Sequence, residues 1–222
     1  MILYHILNRG VDKRKVFMDE KDHFRFIHDI FEFNDIQNSS FNNYHFRNSL
    51  DVGRPEIRRP RKLLVNIHGF CLMPNHYHML VSPLVENGIP LFTKKLNGGY
   101  AKYFNERHKR SGALWQGRYK SVPVDSDPHF SWIPYYIHFN PLDLVMPEWR
   151  ERGIKNHKKA EEYLKTYRWS SHLDYLGEKN FPSLTQRGFL LDFFDGEKGY
   201  RKSIPQMLKD FSVEDGSLAT LE

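Results

Sequence analysis

The sequence predicts an α+β fold: an antiparallel sheet with both crossover helices on one face, followed by a helix and a mostly helical or irregular C-terminal extension. Three observations lead there. Stretches of period two and of period 3.6 follow one another as strand, helix, strand, strand, helix, strand, helix. The first six elements form the βαββαβ pattern. The 222 residues suffice to bury a core without staples, and a single cysteine excludes an internal disulfide.

Ile2, Tyr4 and Ile6 alternate with Leu3, His5 and Leu7, making the first strand, and Asn8-Arg9-Gly10 turns the chain. Asp19 reads as an N-cap with Asp22 in the third position, and Phe24, Ile27, Ile30 and Phe31 give the helix over about 20–34 its apolar face. Leu63 to Leu72 is a strand, Pro74-Asn75 a tight turn, and His76 to about Ser82 the returning strand. Pro90 opens a helix striped by Phe92, Leu96, Tyr100, Tyr103 and Phe104. Gly98-Gly99 inside it costs stability and implies that something packs close. Trp115 to Val124 reads as a fourth strand, placed at an edge by Pro123. Asp127-Pro128 starts a third helix, which Pro141 ends, and Glu161 to Tyr167 is helical.

Lys plus Arg total 33 against 27 Asp plus Glu, a net charge of +6, with 15% aromatic residues and 12 histidines. That mix favours a polyanionic partner, single-stranded nucleic acid in particular. No run approaches the roughly 18 apolar residues of a membrane span. The first six residues lack the basic start and cleavage site of a signal peptide, so a cytoplasmic protein is expected. From Arg47 to Lys62 six basic residues face two acids, within an irregular insert at about 35–62. This insert is either a solvated linker or an arm that touches DNA.

Three segments could carry chemistry. His76-Tyr77-His78 on a strand puts both imidazoles on one face, half of a divalent-metal site, although such a pair also serves structural roles. Tyr136 and Asn140 share a helix face. A phenol can attack phosphorus and an amide oxygen is a hard ligand for Mg2+ or Mn2+, yet tyrosines on amphipathic helices are often core and Asn before Pro is often a helix stop. In Asn105 to Lys120, cations and aromatic rings interleave, as phosphate and base contacts require. A solvated loop is the bland alternative.

Taken in order, these segments are more specific than any one of them. Tyr4–Gly10 (YHILNRG), Gly69–Val81 (GFCLMPNHYHMLV), Tyr103–Lys120 (YFNERHKRSGALWQGRYK), Tyr136–Pro141 (YIHFNP) and Trp169-Ser170-Ser171 resemble the Y1 tyrosine transposases of the IS200 type, and among them the REP-associated tyrosine transposases of bacteria. The resemblance spans about residues 2–177 and implies a ferredoxin-like fold of the HUH nuclease superfamily, with a catalytic helix after the last strand. It implies Tyr136 as catalytic nucleophile, and His76, His78 and Asn140 as ligands of Mg2+ or Mn2+. The implied substrate is single-stranded DNA, often hairpin-bearing, cut through a 5′-phosphotyrosine. For DNA contact the candidates are Arg9, Arg107, Lys109, Arg110, Trp115, Arg118, Tyr119 and Lys120. On this reading residues 1–150 form the nuclease domain and 151–222 an extension packed on it. The protein would join the nucleoid when bound to DNA, and a homodimer is open. The alternative is a domesticated nucleic-acid-binding relative without nuclease activity. The chain departs from the family pattern at Pro134, inside the catalytic helix, which leaves neighbouring Tyr135 as a rival nucleophile. It also departs in the long basic insert and in the tail beyond about 178.

Overall fold

The structure is a computed structural model that describes residues 1–37 and 60–210. The chain runs β1 (Leu3–Arg9), α1 (Glu20–Phe33), β2 (Val65–Met73), β3 (His76–Pro83), α2 (Gly88–Arg107), β4 (Lys120–Val124) and α3 (Asp127–Phe139). A short 3-10 segment (Asn140–Leu144) leads from α3 into α4 (Trp149–Arg152), α5 (His157–Thr166), α6 (His172–Tyr175), α7 (Gly188–Phe193) and α8 (Gly196–Asp210). The sheet order is β2-β3-β1-β4, every neighbouring pair antiparallel. This is the split βαββαβ arrangement that the order of elements predicts.

Two apolar cores sandwich the sheet. On one face Phe26, Ile27 and Ile30 of α1 and Phe92, Leu96 and Tyr100 of α2 bury Ile6, Tyr77, Met79 and Val81. On the other, Leu3, Cys71, Met73 and Leu80 meet Ile133, Tyr136 and Ile137 of α3, and beyond them Leu164 of α5 and Tyr200, Ile204 and Leu208 of α8. The second core therefore runs continuously from the sheet through α3 into the extension. Burying this much apolar surface is the dominant favourable term in holding the layers together.

A register shift between Ile67 and Gly69 decides what β2 offers each face. Val65 and Ile67 reach the helix-side core before it, and Phe70 and Leu72 after it. An uninterrupted strand of period two would have sent the second pair to the opposite side.

Local signals mostly hold. Asp19 caps α1 by accepting from Asp22 N at 3.1 Å, whereas the Asp22 carboxylate reaches Met18 N at 2.9 Å rather than the cap residue itself. Within α2, a Cβ on Gly99 would overlap the Phe33 ring of α1, while Gly98 faces open space. The close neighbour implied by the glycine pair is thus Phe33, and only Gly99 needs it. Pro123 lies on β4, which among the described residues pairs with β1 alone and forms an edge.

Two boundaries are corrected. The fourth strand starts at Lys120, not at Trp115, because the Trp115 indole turns inward and donates Nε1–H to Asn97 O at 3.0 Å. Trp115 retains only an isolated bridge to Gly10. The third helix is capped by Ser126, which accepts from His129 N at 3.4 Å, and Asp127 lies in its first turn. The basic insert lies mostly outside the described residues; at its base Ile36 N donates to Lys62 O at 2.9 Å. Among the described residues no helix is long and apolar enough to cross a membrane.

Candidate active site

β3 separates its side chains by alternation. Tyr77 enters the helix-side core and donates its hydroxyl to Asn97 Oδ1 at 3.0 Å. His76 and His78 project from the other face, toward α3, with ring centroids 4.8 Å apart. Both are buried. Tyr136 of α3 presents its ring edgewise to His78 at 5.6 Å between centroids and to His5 of β1 at 5.8 Å. One turn on, Asn140 is buried beside them; its Nδ2 donates to Tyr136 O at 2.8 Å, and its side chain lies close enough to His76 to favour protonation there. The two imidazoles, the phenol and the amide therefore share one pocket between the sheet and α3.

The hydrogen bonds fix how the histidines present themselves. Asn75 Nδ2 donates to Lys13 O at 3.2 Å, so its Oδ1 is the atom 2.6 Å from His76 Nδ1. That oxygen only accepts, so His76 carries its proton on Nδ1 and a lone pair on Nε2. His78 Nδ1 lies 2.8 Å from His5 Nε2. The Nε2 atoms of both His76 and His78 are buried without a hydrogen-bond partner among the described residues. Unpartnered buried nitrogens are costly, and these two stand on one face of the same strand, two residues apart.

Electrostatics point the same way. Burial, then the nearby Arg9 charge, pushes His76 down to about 3. Burial, with His129 and His76 adding to it, brings His5 to about 3, and burial holds His78 well below the usual imidazole range. All three are neutral near pH 7, the state in which imidazole is a ligand. Two neutral imidazoles, each with a lone pair on a buried Nε2, and an amide oxygen suit a divalent cation of intermediate to hard character. No cluster of three or more His, Cys, Asp or Glu side chains forms a metal site among the described residues, so the amide oxygen would have to complete the set. The residues present fit the metal that the sequence resemblance implies.

Arg150, on α4, completes the pocket. Its Nη1 donates to the Tyr136 hydroxyl at 2.9 Å and its Nη2 to Asn140 Oδ1 at 2.9 Å. Asp143 grips the same guanidinium at Nε, 2.9 Å, and at Nη2, 2.8 Å.

The rival tyrosine is elsewhere. Tyr135 donates to Ser203 Oγ at 2.6 Å and stacks on Tyr200 at 12° between ring planes, away from the imidazoles. His138 turns the same way, bonded to Tyr200 and Ser171. α3 runs unbroken through Pro134.

Of the eight residues expected to contact DNA, the structure groups three. Arg9, Arg118 and Lys120 line a groove with Lys13, Asn8 and Gln116. It adjoins the pocket, since Arg9 sits opposite His76 in the β1–β3 ladder. Trp115 is corrected to a core residue: at 8% exposure its ring cannot stack on a base. Arg107 is likewise structural, paired with Asp19 at 2.6 Å and with the buried Asp22. Arg110 donates to Asn105 Oδ1 at 2.8 Å, Lys109 is exposed, and Tyr119 packs half-buried against the helix-side core.

Sequence reading missed His5, Asn75, Asp143 and Arg150. His5 had a signal: it alternates onto the face opposite Ile6, and only the unknown strand order hid its meeting with His78. Arg150 had none, because its partners lie 10 and 14 residues back across a turn.

Two imidazoles on an inner strand of a split βαββαβ sheet thus face a tyrosine on the helix after its last strand. Residues 59–140 match the family model described as "Transposase IS200 like", and the motif GFCLMPNHYHMLV lies within that segment. Among solved structures, the chain is similar to a REP-associated tyrosine transposase bound to a REP hairpin, at 11% identity over 82% of each chain with a TM-score of 0.43. It is also similar to a protein described as a candidate transposase of Deinococcus radiodurans R1, at 20% identity over 61% of this chain and 87% of that one, with a TM-score of 0.35. No curated protein matches the chain.

Proposed function

We propose that this protein is a DNA transposase that cleaves and rejoins hairpin-associated single-stranded DNA through Tyr136. The observation that carries the proposal is the convergence of the Tyr136 ring on two imidazoles whose Nε2 atoms are buried and unpartnered. His76 Nε2, His78 Nε2 and Asn140 Oδ1 would hold Mg2+ or Mn2+. Bound there, the cation would draw charge from the scissile phosphate and orient it.

The rest is the work of the chain. The Tyr136 oxygen attacks phosphorus as its proton leaves. A tyrosyl O–P bond forms, the bond to the 3′ oxygen breaks, and that oxygen takes a proton to leave as a 3′-hydroxyl. The 5′-phosphotyrosine retains one phosphodiester-type bond, so a different 3′-hydroxyl can reverse the step without ATP. Arg9, Arg118 and Lys120, with Lys13, neutralise phosphates along the groove and lead the strand to the pocket. Burial of Tyr136 beneath Trp132, stacked at 4.7 Å between centroids, limits competing attack by water.

The test is incubation of the full chain with a pool of hairpin oligonucleotides carrying randomised single-stranded flanks, plus Mn2+, followed by denaturing electrophoresis. A covalent protein–DNA band is expected for the native chain and for Tyr135→Phe, and none for Tyr136→Phe. DNA binding with no adduct at any metal concentration would favour a domesticated binding protein instead.

A further inference from the structure

We infer that Arg150 is a catalytic residue of this site, setting the aim of the Tyr136 hydroxyl and tying it to the Asn140 amide; the inference rests on the tyrosine chemistry proposed above.

The guanidinium meets two members of the pocket at once. It donates to the Tyr136 hydroxyl and to Asn140 Oδ1, each at 2.9 Å. It also lies 4.9 Å from the centre of the Tyr136 ring. Two bonds from Asp143 orient the planar fork, and Trp149 Nε1 donates to that same Asp143 carboxylate. Trp149 is wholly buried, so the assembly is fastened to the second core. A phenol on a helix can otherwise swing about its χ angles; a donor fixed at its oxygen selects one direction. The same N–H and positive charge face an oxygen that becomes negative during attack and again when the phosphotyrosine is cleaved. Asn140 is held from both ends, by Arg150 at Oδ1 and through Nδ2 by the Tyr136 carbonyl. Only a planar fork can make this set of contacts, so lysine would not replace it.

The nucleophile comes from the helix after the sheet, but its orienting cation comes from α4, beyond Asn140, where the family match ends. The pocket is thus assembled from the sheet, α3 and the short helix α4 that follows it.

The experiment compares the native chain, Arg150→Ala, Arg150→Lys and Tyr136→Phe in single-turnover adduct formation, using the hairpin recovered from the pool with saturating Mn2+. Arg150→Ala and Arg150→Lys are expected to react about 100-fold more slowly at saturating DNA, with DNA affinity changed less than about threefold. Millimolar methylguanidinium is expected to restore at least tenfold of the Arg150→Ala loss, which a merely folding role would not allow. In parallel, 3-fluorotyrosine at position 136 reports on the ring by 19F NMR in metal-free protein. One resonance is expected for the native chain, and a shifted or split one for Arg150→Ala. A native rate in Arg150→Ala, an unchanged 19F spectrum, or a loss that methylguanidinium leaves untouched overturns the inference. Absence of any Tyr136-dependent adduct from the native chain overturns the function proposed above instead, and the 19F comparison still judges the contact.

Discussion

His5 and His78 stand on adjacent strands with rings 15° from parallel, and Nε2 of the first lies 2.8 Å from Nδ1 of the second. If His78 donates in this bond, its Nε2 keeps the lone pair that a metal needs. Partners of this kind orient a ligating imidazole and raise its basicity. His5→Phe keeps a flat ring and removes the acceptor. It is expected to weaken Mn2+ binding about tenfold by isothermal titration. An unaltered Kd would reduce His5 to a space-filler.

The adjacent glycines of α2 should respond in opposite directions. Gly99→Ala drives a Cβ into the Phe33 ring and is expected to cost about 1–3 kcal/mol in urea denaturation. Gly98→Ala meets open space and should gain about 0.5–1 kcal/mol from helix propensity. Equal effects from the two would mean that the α1–α2 contact is not tight.

Acid should weaken the fold before its carboxylates titrate. Burial lowers His5, His76 and His172 to about 3, whereas in the unfolded chain each takes a proton near its ordinary value of 6.5. Between those limits the unfolded state binds more protons, so stability falls as pH falls. Their contribution is complete above about 6.5 and shrinks toward 3, by up to about 1.4 kcal/mol per pH unit for each histidine. Denaturation midpoints at pH 7.5, 6.0 and 5.0 should fall in that order. A flat profile across this range would mean that the imidazoles are already charged in the native state.

The basic residues divide into two kinds. Arg118→Gln and Lys120→Gln, at exposed positions beside the groove, should leave the melting temperature unchanged. Each should lower the slope of log affinity for single-stranded DNA against log salt by about one. Arg107→Gln should do the reverse: it takes the guanidinium from the fully buried Asp22 carboxylate, which keeps Met18 N, the Tyr103 hydroxyl and His108 Nε2, and is expected to cost about 1–2 kcal/mol with little change in the salt slope. A salt slope lowered by the Arg107 variant would return that residue to the DNA path.

What could be read from residues alone was local. Alternation in β1 and β3, the Asp19 cap, the edge proline and the i, i+4 relation of Tyr136 and Asn140 all depend on neighbours in sequence, and all reappear. The choice between Tyr135 and Tyr136 needed the position of α8, whose Ser203 takes the Tyr135 hydroxyl. Trp115 looked like a stacking platform because basic residues surround it, but composition does not reveal which way an indole turns. The basic insert lies largely outside the described residues. Arg150 was invisible because its meaning comes from a turn that folds α4 back onto α3.

Only Pro74 and Asn75 separate β2 from β3, so the hairpin acts as a reading frame for the chemistry that follows it. Deleting or adding one residue there would invert the strand, thrusting both imidazoles among Phe26, Tyr100 and Trp115 and delivering the Tyr77 phenol to the α3 side. A two-residue change would keep the faces and merely slide them. Single-residue length variation at this connection should therefore be ruinous where paired variation is survivable, even though neither linker residue needs to touch a substrate.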